Sequence, residues 1–285
     1  MTTHVITHGG CPDGFTSAWL IDRFYPDDGL GLVHHFAQDR INPPSEIKKG
    51  DRVIIADFSY PYEKLEELYL LASELIILDH HKTAEADIAR LDAETDAFCL
   101  FDNDRSGAML TFDWLGQPDE GSVLASYIQD YDLWIHALNS TQEINAVVQS
   151  TPYDFDAWDE LASDLEYRTF NVVEQGRAIR RYQRKIIDAA KADARRMTIA
   201  GYEVWITQAP YALGSMIAGE LASENPDDAF AGYYIDKPDC RQFGLRSRSA
   251  DRDPGFDVSV VAQFYGGGGH RNAAGFKVPY GDKLA

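Results

Sequence analysis

The stretch from Leu78 to Thr83, LDHHKT, sets an acid and two imidazoles side by side directly after the apolar run SELII. Asp79, His80 and His81 are three consecutive ionisable groups at a strand end, where packing alone needs none. Similar groups close or follow other apolar runs: HVITH ends at His8 with Asp13 soon after, VIIAD ends at Asp57, and YIQDYDLW carries Asp130. Mixed carboxylate and imidazole donors suit Mn2+, Mg2+, Co2+ or Zn2+, and several shared carboxylates suit two ions held close together. Such a pair clamps the attacking and leaving oxygens of a transferring phosphoryl group. Singly, each acid has a plainer use, Asp13 as a cap for the helix beginning near Phe15 and Asp57 in the loop before Pro61. Five groups on one edge, His8, Asp13, Asp57, His80 and Asp130, favour the metal site.

Elements able to hold those groups alternate along the first half of the chain. HVITH, DRVIIAD and SELIILD read as strands, and DGFTSAWLIDRFY, the segment from Pro61 through KLEELYLLA, SGAMLTFDWL and SVLASYIQDYDLW read as helices. Alternation of this kind predicts an α/β fold with a mainly parallel sheet, covered on both faces, that collects ligands at the carboxyl ends of its strands. The expected organisation is a catalytic domain over 1–150, a helical connector over 151–196 and a smaller α/β domain over 197–285. Within the connector, the basic stretch from Arg177 to Lys185 reads as a solvated helix face.

The 285 residues carry 46 acidic and 26 basic side chains, a net charge of −20. That surface repels long polyanions, so a processive binder of duplex nucleic acid is disfavoured, while a short anionic substrate in a local cationic or metal-lined pocket is not. No apolar run reaches the roughly 18–20 residues that span a bilayer, and MTTHVITHGG has no basic and apolar leader pattern. Three widely spaced cysteines, Cys11, Cys99 and Cys240, form no CxxC pair and fit a reducing compartment. A cytoplasmic protein that does not enter membranes is expected.

Asp79-His80-His81, together with THGGCPDGFTSAW, VIIADFS, NDRSGAML and YIQDYDLW, resembles the motifs of the DHH phosphoesterases. Near the C-terminus, LRSR followed by DVSVVAQFYGGGGHRNAAGF resembles the DHH-associated substrate domain of this family's oligoribonucleases and exonucleases. The resemblance implies a two-metal, usually Mn2+-dependent, phosphoester hydrolase. It implies one ion on His8, Asp57 and Asp130, and another on Asp13, Asp57, Asp130 and His80. It further implies that His81 contacts the scissile phosphate, that Asp79 orients a neighbouring histidine, and that a metal-activated water attacks. Asp132 also lies in the fourth motif, but the spacing to Trp134 favours Asp130 as the ligand.

One position departs from the family pattern. Its first motif holds two Asp residues two apart, and alignment on Gly14 and Ser17 puts Asp13 at the second and Cys11 at the first. Thiolate is softer than carboxylate, so Cys11 as a ligand widens the choice from Mn2+ towards Co2+ or Zn2+, with Mg2+ less favoured, whereas Cys11 as a spectator leaves an additional water on the metal.

In the second domain, the run Gly266 to Gly269 lets backbone N–H groups come close to a phosphate. Gly267, Gly268, Gly269 and His270 match the family's substrate loop, and Arg246 is placed to hold a terminal phosphate or stack on a base. Arg105 and Ser106 are further candidate substrate contacts. These residues together imply a phosphodiesterase that hydrolyses short oligonucleotides or dinucleotides to mononucleotides in a cleft between two domains. Two alternatives stand beside it: a phosphatase acting on nucleoside bisphosphate, pyrophosphate or polyphosphate, and a nucleotide-binding sensor with weakened catalysis. A homodimer is compatible with each.

Overall fold

The computed structural model describes residues 1–26, 31–37, 41–118, 120–248, 254–282 and 284, with the side chain of His270 outside the description. It divides into two compact units, Met1–Ile179 and Arg180–Ala285. No helix among the described residues is long and apolar enough to cross a membrane.

In the first unit, β1 (Thr3–His8), β2 (Leu32–Ala37), β3 (Arg52–Ala56), β4 (Glu74–Asp79) and β5 (Phe98–Phe101) form one sheet in the order β2-β1-β3-β4-β5. All four pairings are parallel. Between the strands run α1 (Pro12–Phe24), α2 (Tyr62–Leu71) and α3 (Glu85–Glu94), and α4 (Gly107–Trp114) follows β5. The fold class is therefore the α/β arrangement expected from the alternation.

Parallel strands covered on both sides need apolar residues on both faces, which is why β3 and β4 read as runs rather than alternations. On one face Val5, Ile54, Ile76 and Leu78 pack with Ile21 of α1 and Leu110 of α4. On the other, Ile6, Val53, Ile55 and Ile77 meet Leu65 and Leu68 of α2 and Ile88 and Leu91 of α3. Each such side chain, removed from water, contributes roughly 1.5–3 kcal/mol to folding. The strand order reverses between β1 and β3, and at that switch point the carboxyl ends of the strands open a crevice.

A helical layer completes the unit: α5 (Ser122–Asp132), α6 (Thr141–Ser150), α7 (Phe155–Tyr167) and the first part of α8 (Thr169–Ala192). Phe15 and Trp19 of α1 share a core with Leu124, Ile128, Trp158, Leu165 and Val172. The Trp158 indole N–H donates to Thr16 Oγ1 at 3.1 Å. The division between the units falls inside α8, within the stretch expected as a connector, and the earlier part of that stretch is buried in the first unit.

The second unit carries a six-stranded sheet made of β6 (Arg195–Ile199), β7 (Tyr202–Gln208), β8 (Ala231–Asp236), β9 (Cys240–Arg246), β10 (Gly268–His270) and β11 (Ala273–Pro279). Their order is β10-β11-β9-β8-β7-β6, antiparallel except for β7 with β8. Among the described residues, α9 (Tyr211–Glu224), α10 (Val258–Phe264) and the last part of α8, whose Ile187 packs with Leu213 and Ile217 of α9, accompany it. The sequence reading starts its smaller α/β domain at 197, whereas this unit starts at Arg180.

Candidate metal centre

The crevice at the ends of β1, β3 and β4 is where the ionisable groups meet. β1 delivers His8, and the chain turns through Gly9 and Gly10 into α1. A Cβ on Gly14 would stand 2.4 Å from the His8 carbonyl oxygen, so glycine is what lets the first turn of α1 close onto the strand end. Pro12 at the start of α1 presets its backbone angle. Cys11 occupies the N-cap, and its side chain makes no capping hydrogen bond to the helix.

Asp13 is buried in that first turn, and its two oxygens accept hydrogen bonds from the N–H groups of Gly107 at 2.7 Å and Ala108 at 2.8 Å. Those donors are first-turn N–H groups of α4 that have no partner within the helix, whose dipole also favours a negative group there. Asp57 follows β3 with φ of 52°, a left-handed conformation that costs a non-glycine residue energy and aims its side chain into the crevice. One oxygen of its buried carboxylate lies 3.1 Å from His80 Nε2, and the other 3.8 Å from His8 Nδ1. The second of these oxygens, Oδ2, accepts no hydrogen bond. His80 Nε2 also lies 3.6 Å from Asp13 Oδ2 and 3.7 Å from Asp132 Oδ2.

Asp79 turns away from this group to organise its neighbours. Its Oδ1 accepts from the His80 N–H at 2.9 Å, the His81 N–H at 3.3 Å and His81 Nδ1 at 2.7 Å. An ionised carboxylate only accepts, so Nδ1 of His81 carries the proton in that contact. Burial works against the charged imidazole, but the Asp79 hydrogen bond and the charges of Asp79 and Asp57 outweigh it and raise its pKa.

Burial first, and the crowding of like charge after it, set the electrostatics. Burial, and then the Asp13 carboxylate, push the Asp57 pKa far up, with Asp132 and Asp79 adding to the effect against the opposing charge of His81. Asp132, whose side chain is 32% exposed at the mouth of the crevice, is raised to about 6, by desolvation first and then by Asp13, against the opposing charges of His80 and His81. Burial and the charges of Asp57, Asp13 and Asp132 raise the Cys11 thiol, which a backbone contact to Gly14 partly offsets. Three sets of donor atoms lie within 4.8 Å of one another: His8, Cys11 and Asp57; Asp57, His80 and His81; Asp13, His80 and Asp132. Unpaired buried carboxylate oxygen beside imidazole nitrogen and excess negative charge is a donor set that fits divalent cations.

Of the residues expected from sequence, His8, Cys11, Asp13, Asp57, His80 and His81 come together here, with Asp79 directly behind His81. Asp130 does not. Its carboxylate accepts from the N–H groups of Ala137 at 2.8 Å and Leu138 at 3.2 Å and from the Thr141 hydroxyl, holding the loop after α5. The acid brought to the cluster is Asp132. Two helix positions apart means roughly 200° around the axis, so the two carboxylates face opposite ways. The signal lay in the buried stripe Leu124, Ala125 and Ile128, which packs with residues of α1 and α4, and one more turn along that stripe reaches Asp132.

Ser106 is fully buried as the N-cap of α4, its hydroxyl accepting from the Met109 N–H, so it supports the helix rather than presenting a contact surface. Arg105 pairs with Asp113 of α4. In the second unit, Arg246 donates to Ser215 Oγ and to the Leu245 carbonyl, the latter at 2.7 Å. Gly267 and Gly269 are pressed against β11, where Cβ atoms would meet the carbonyl oxygens of Gly275 at 2.1 Å and Ala273 at 2.6 Å. Gly268 borders open space, and the His270 side chain lies outside the described residues.

No family profile matches the sequence. An uncharacterized protein of Acanthamoeba polyphaga mimivirus is 28% identical over 289 residues, covering 95% of this chain and 66% of that protein, so the chain spans just under two thirds of that relative. Among solved structures, the DHH domain of a protein described as a member of a family of ribosomal proteins superposes with a TM-score of 0.63 at 13% identity, over 98% of this chain and 83% of that one. A pGpG-specific phosphodiesterase from Vibrio cholerae gives 0.54 at 12% identity, over 98% and 94%. Exonuclease RecJ bound to manganese gives 0.55 at 15% identity, over 96% and 85%. The fold of this chain is the one these DHH-domain proteins share.

Proposed function

We propose that this protein is a metal-dependent phosphoesterase of the DHH type that hydrolyses short oligonucleotides or dinucleotides to mononucleotides. The observation that carries the reading is the Asp57 carboxylate, buried at the switch point of the sheet, with one oxygen turned to His80 and the other to His8. A single carboxylate that faces two donor sets suits a pair of cations. His8, Cys11 and Asp57 would hold one ion, and Asp13, His80 and Asp132 the other, with Asp57 Oδ1 3.1 Å from His80 Nε2 on that side. Bound there, the ions supply Lewis acidity to a phosphoryl oxygen and lower the pKa of a coordinated water.

The chain's own groups do the rest. Asp13, pinned by two N–H groups of α4, and Asp57, fixed by its left-handed backbone, keep the carboxylates in place without reorganisation. His81, tethered through Nδ1 to Asp79, presents its imidazole in one orientation, and the upward shift of its pKa favours the charged ring, whose Nε2–H is the proton that could pass to a phosphoryl or leaving-group oxygen. Short substrates follow from the net charge of −20, which opposes a long polyanion but leaves a few phosphates free to enter a metal-lined crevice. The names of the pGpG phosphodiesterase and of RecJ support phosphodiester chemistry on this fold.

The test is a labelled ladder running from dinucleotide to long RNA and DNA, with Mn2+, Mg2+, Co2+ and Zn2+ added separately and pyrophosphate and polyphosphate alongside. Turnover confined to the shortest nucleotides is the expected result. Phosphate release from polyphosphate alone, or binding without turnover under every metal, overturns it.

A further inference from the structure

We infer that the two halves of the metal centre differ in chemical hardness: His8, Cys11 and Asp57 form a thiolate-containing site that selects Co2+, Zn2+ or Fe2+, while Asp13, His80 and Asp132 form a hard site suited to Mn2+ or Mg2+. The inference rests on the metal-dependent reading above and deepens it. In the first set, Cys11 Sγ, an imidazole nitrogen of His8 and a carboxylate oxygen of Asp57 lie within 4.8 Å of one another. The second set contains no sulfur. Sulfur is a soft donor that favours Co2+, Zn2+ and Fe2+ over Mg2+ and Mn2+, whereas a carboxylate-rich set discriminates little among hard ions.

The place of the thiol and an unpartnered carboxylate oxygen beside it point to a ligand there. Cys11 stands at the N-cap of α1, at the mouth of the crevice, where the Gly14 backbone also contacts its sulfur. Independently, the buried Asp57 Oδ2 beside it accepts no hydrogen bond and faces His8 Nδ1. Three donors of different type, one from the cap of α1, one from the end of β1 and one from the residue after β3, thus converge without a protein hydrogen bond to occupy that carboxylate oxygen. The remaining cysteines, Cys99 and Cys240, belong to no such set among the described residues. Binding would release the thiol proton to solvent and leave sulfur as the anionic donor.

Cobalt reports the claim directly, because a thiolate bonded to Co2+ gives a near-ultraviolet charge-transfer band that oxygen and nitrogen donors do not. Titration of the metal-free full chain with Co2+ is expected to produce that band in the wild type and in a Cys99→Ser, Cys240→Ser double variant. Cys11→Ser, which preserves the side-chain shape, is expected to abolish it while still binding cobalt at the other site. After equilibration with equal Mn2+ and Zn2+, Zn2+ should be taken up in preference by both proteins, and the ratio of Mn2+ to Zn2+ bound should be higher in Cys11→Asp than in the wild type. Absence of the band in the wild type, or its persistence in Cys11→Ser, overturns the inference. The band without hydrolysis of any phosphoester would instead leave the mixed site standing and defeat the functional reading.

Discussion

The Cα of Gly107 lies against Asp57 so closely that a Cβ placed there would stand 2.4 Å from the Asp57 Cβ. Glycine at the first turn of α4 is therefore part of how Asp57 is held, since the same residue's N–H also bonds Asp13. Gly107→Ala should cost about 1–3 kcal/mol of stability through overpacking and weaken divalent-ion binding in the same protein. Thermal unfolding with and without Mn2+ measures both, and an unchanged metal-induced stabilisation would separate Gly107 from the site.

Asp132 and Asp130 make opposite predictions although they are two residues apart. Asp130→Asn leaves loop donors short of an acceptor and should destabilise the fold by about 1–3 kcal/mol with little change in metal affinity. Asp132→Asn should weaken metal binding with little loss of stability in the metal-free protein. Calorimetric titration beside denaturant unfolding distinguishes them, and a reversal of the two phenotypes would return Asp130 to the site.

The same acid sets a pH dependence. An acid whose folded pKa, about 6 for Asp132, lies above its unfolded value near 3.8 binds its proton more tightly when folded. The metal-free protein should accordingly gain stability as pH falls from 7 through 6 towards 4, and lose that gain as pH rises again. Asp132→Asn should flatten this part of the profile, as unfolding melts across that window would record. A slope unchanged in the variant would assign it to another group.

Asp79→Asn tests the orientation of His81. The amide keeps the shape but weakens the hold on Nδ1–H and removes the charge that raises the imidazole pKa. Turnover should fall roughly 10–100-fold, as for other supporting partners of functional histidines, and the alkaline limb of the pH–rate profile should move to lower pH. A uniform fall with no movement of that limb would mean His81 does not act through its proton.

Much of the first unit is legible in the sequence because fully covered parallel strands must be apolar throughout, so DRVIIAD and SELIILD stand out and their ends mark the site. The edge strand β2 is not, because LVHHFA carries two histidines, His34 paired with Asp22 and His35 with His4. That Asp132 rather than Asp130 reaches the cluster is a matter of helix phase, which motif spacing hides and the stripe through Ile128 reveals. Ser106 shows a different ambiguity: a hydroxyl before a helix reads equally as cap or contact, and the structure has it buried as a cap. For Gly267 and Gly269, crowding by β11 explains the residue type without any ligand, which no composition could disclose.

Hydrolysis of a linear dinucleotide by the wild type and by Asp57→Asn, each with Mn2+ and after chelation, tests the central claim most directly. The account predicts mononucleotide release by the wild type with metal, none after chelation, and loss of turnover with weakened Mn2+ binding in Asp57→Asn. Full metal-dependent turnover in Asp57→Asn would contradict it.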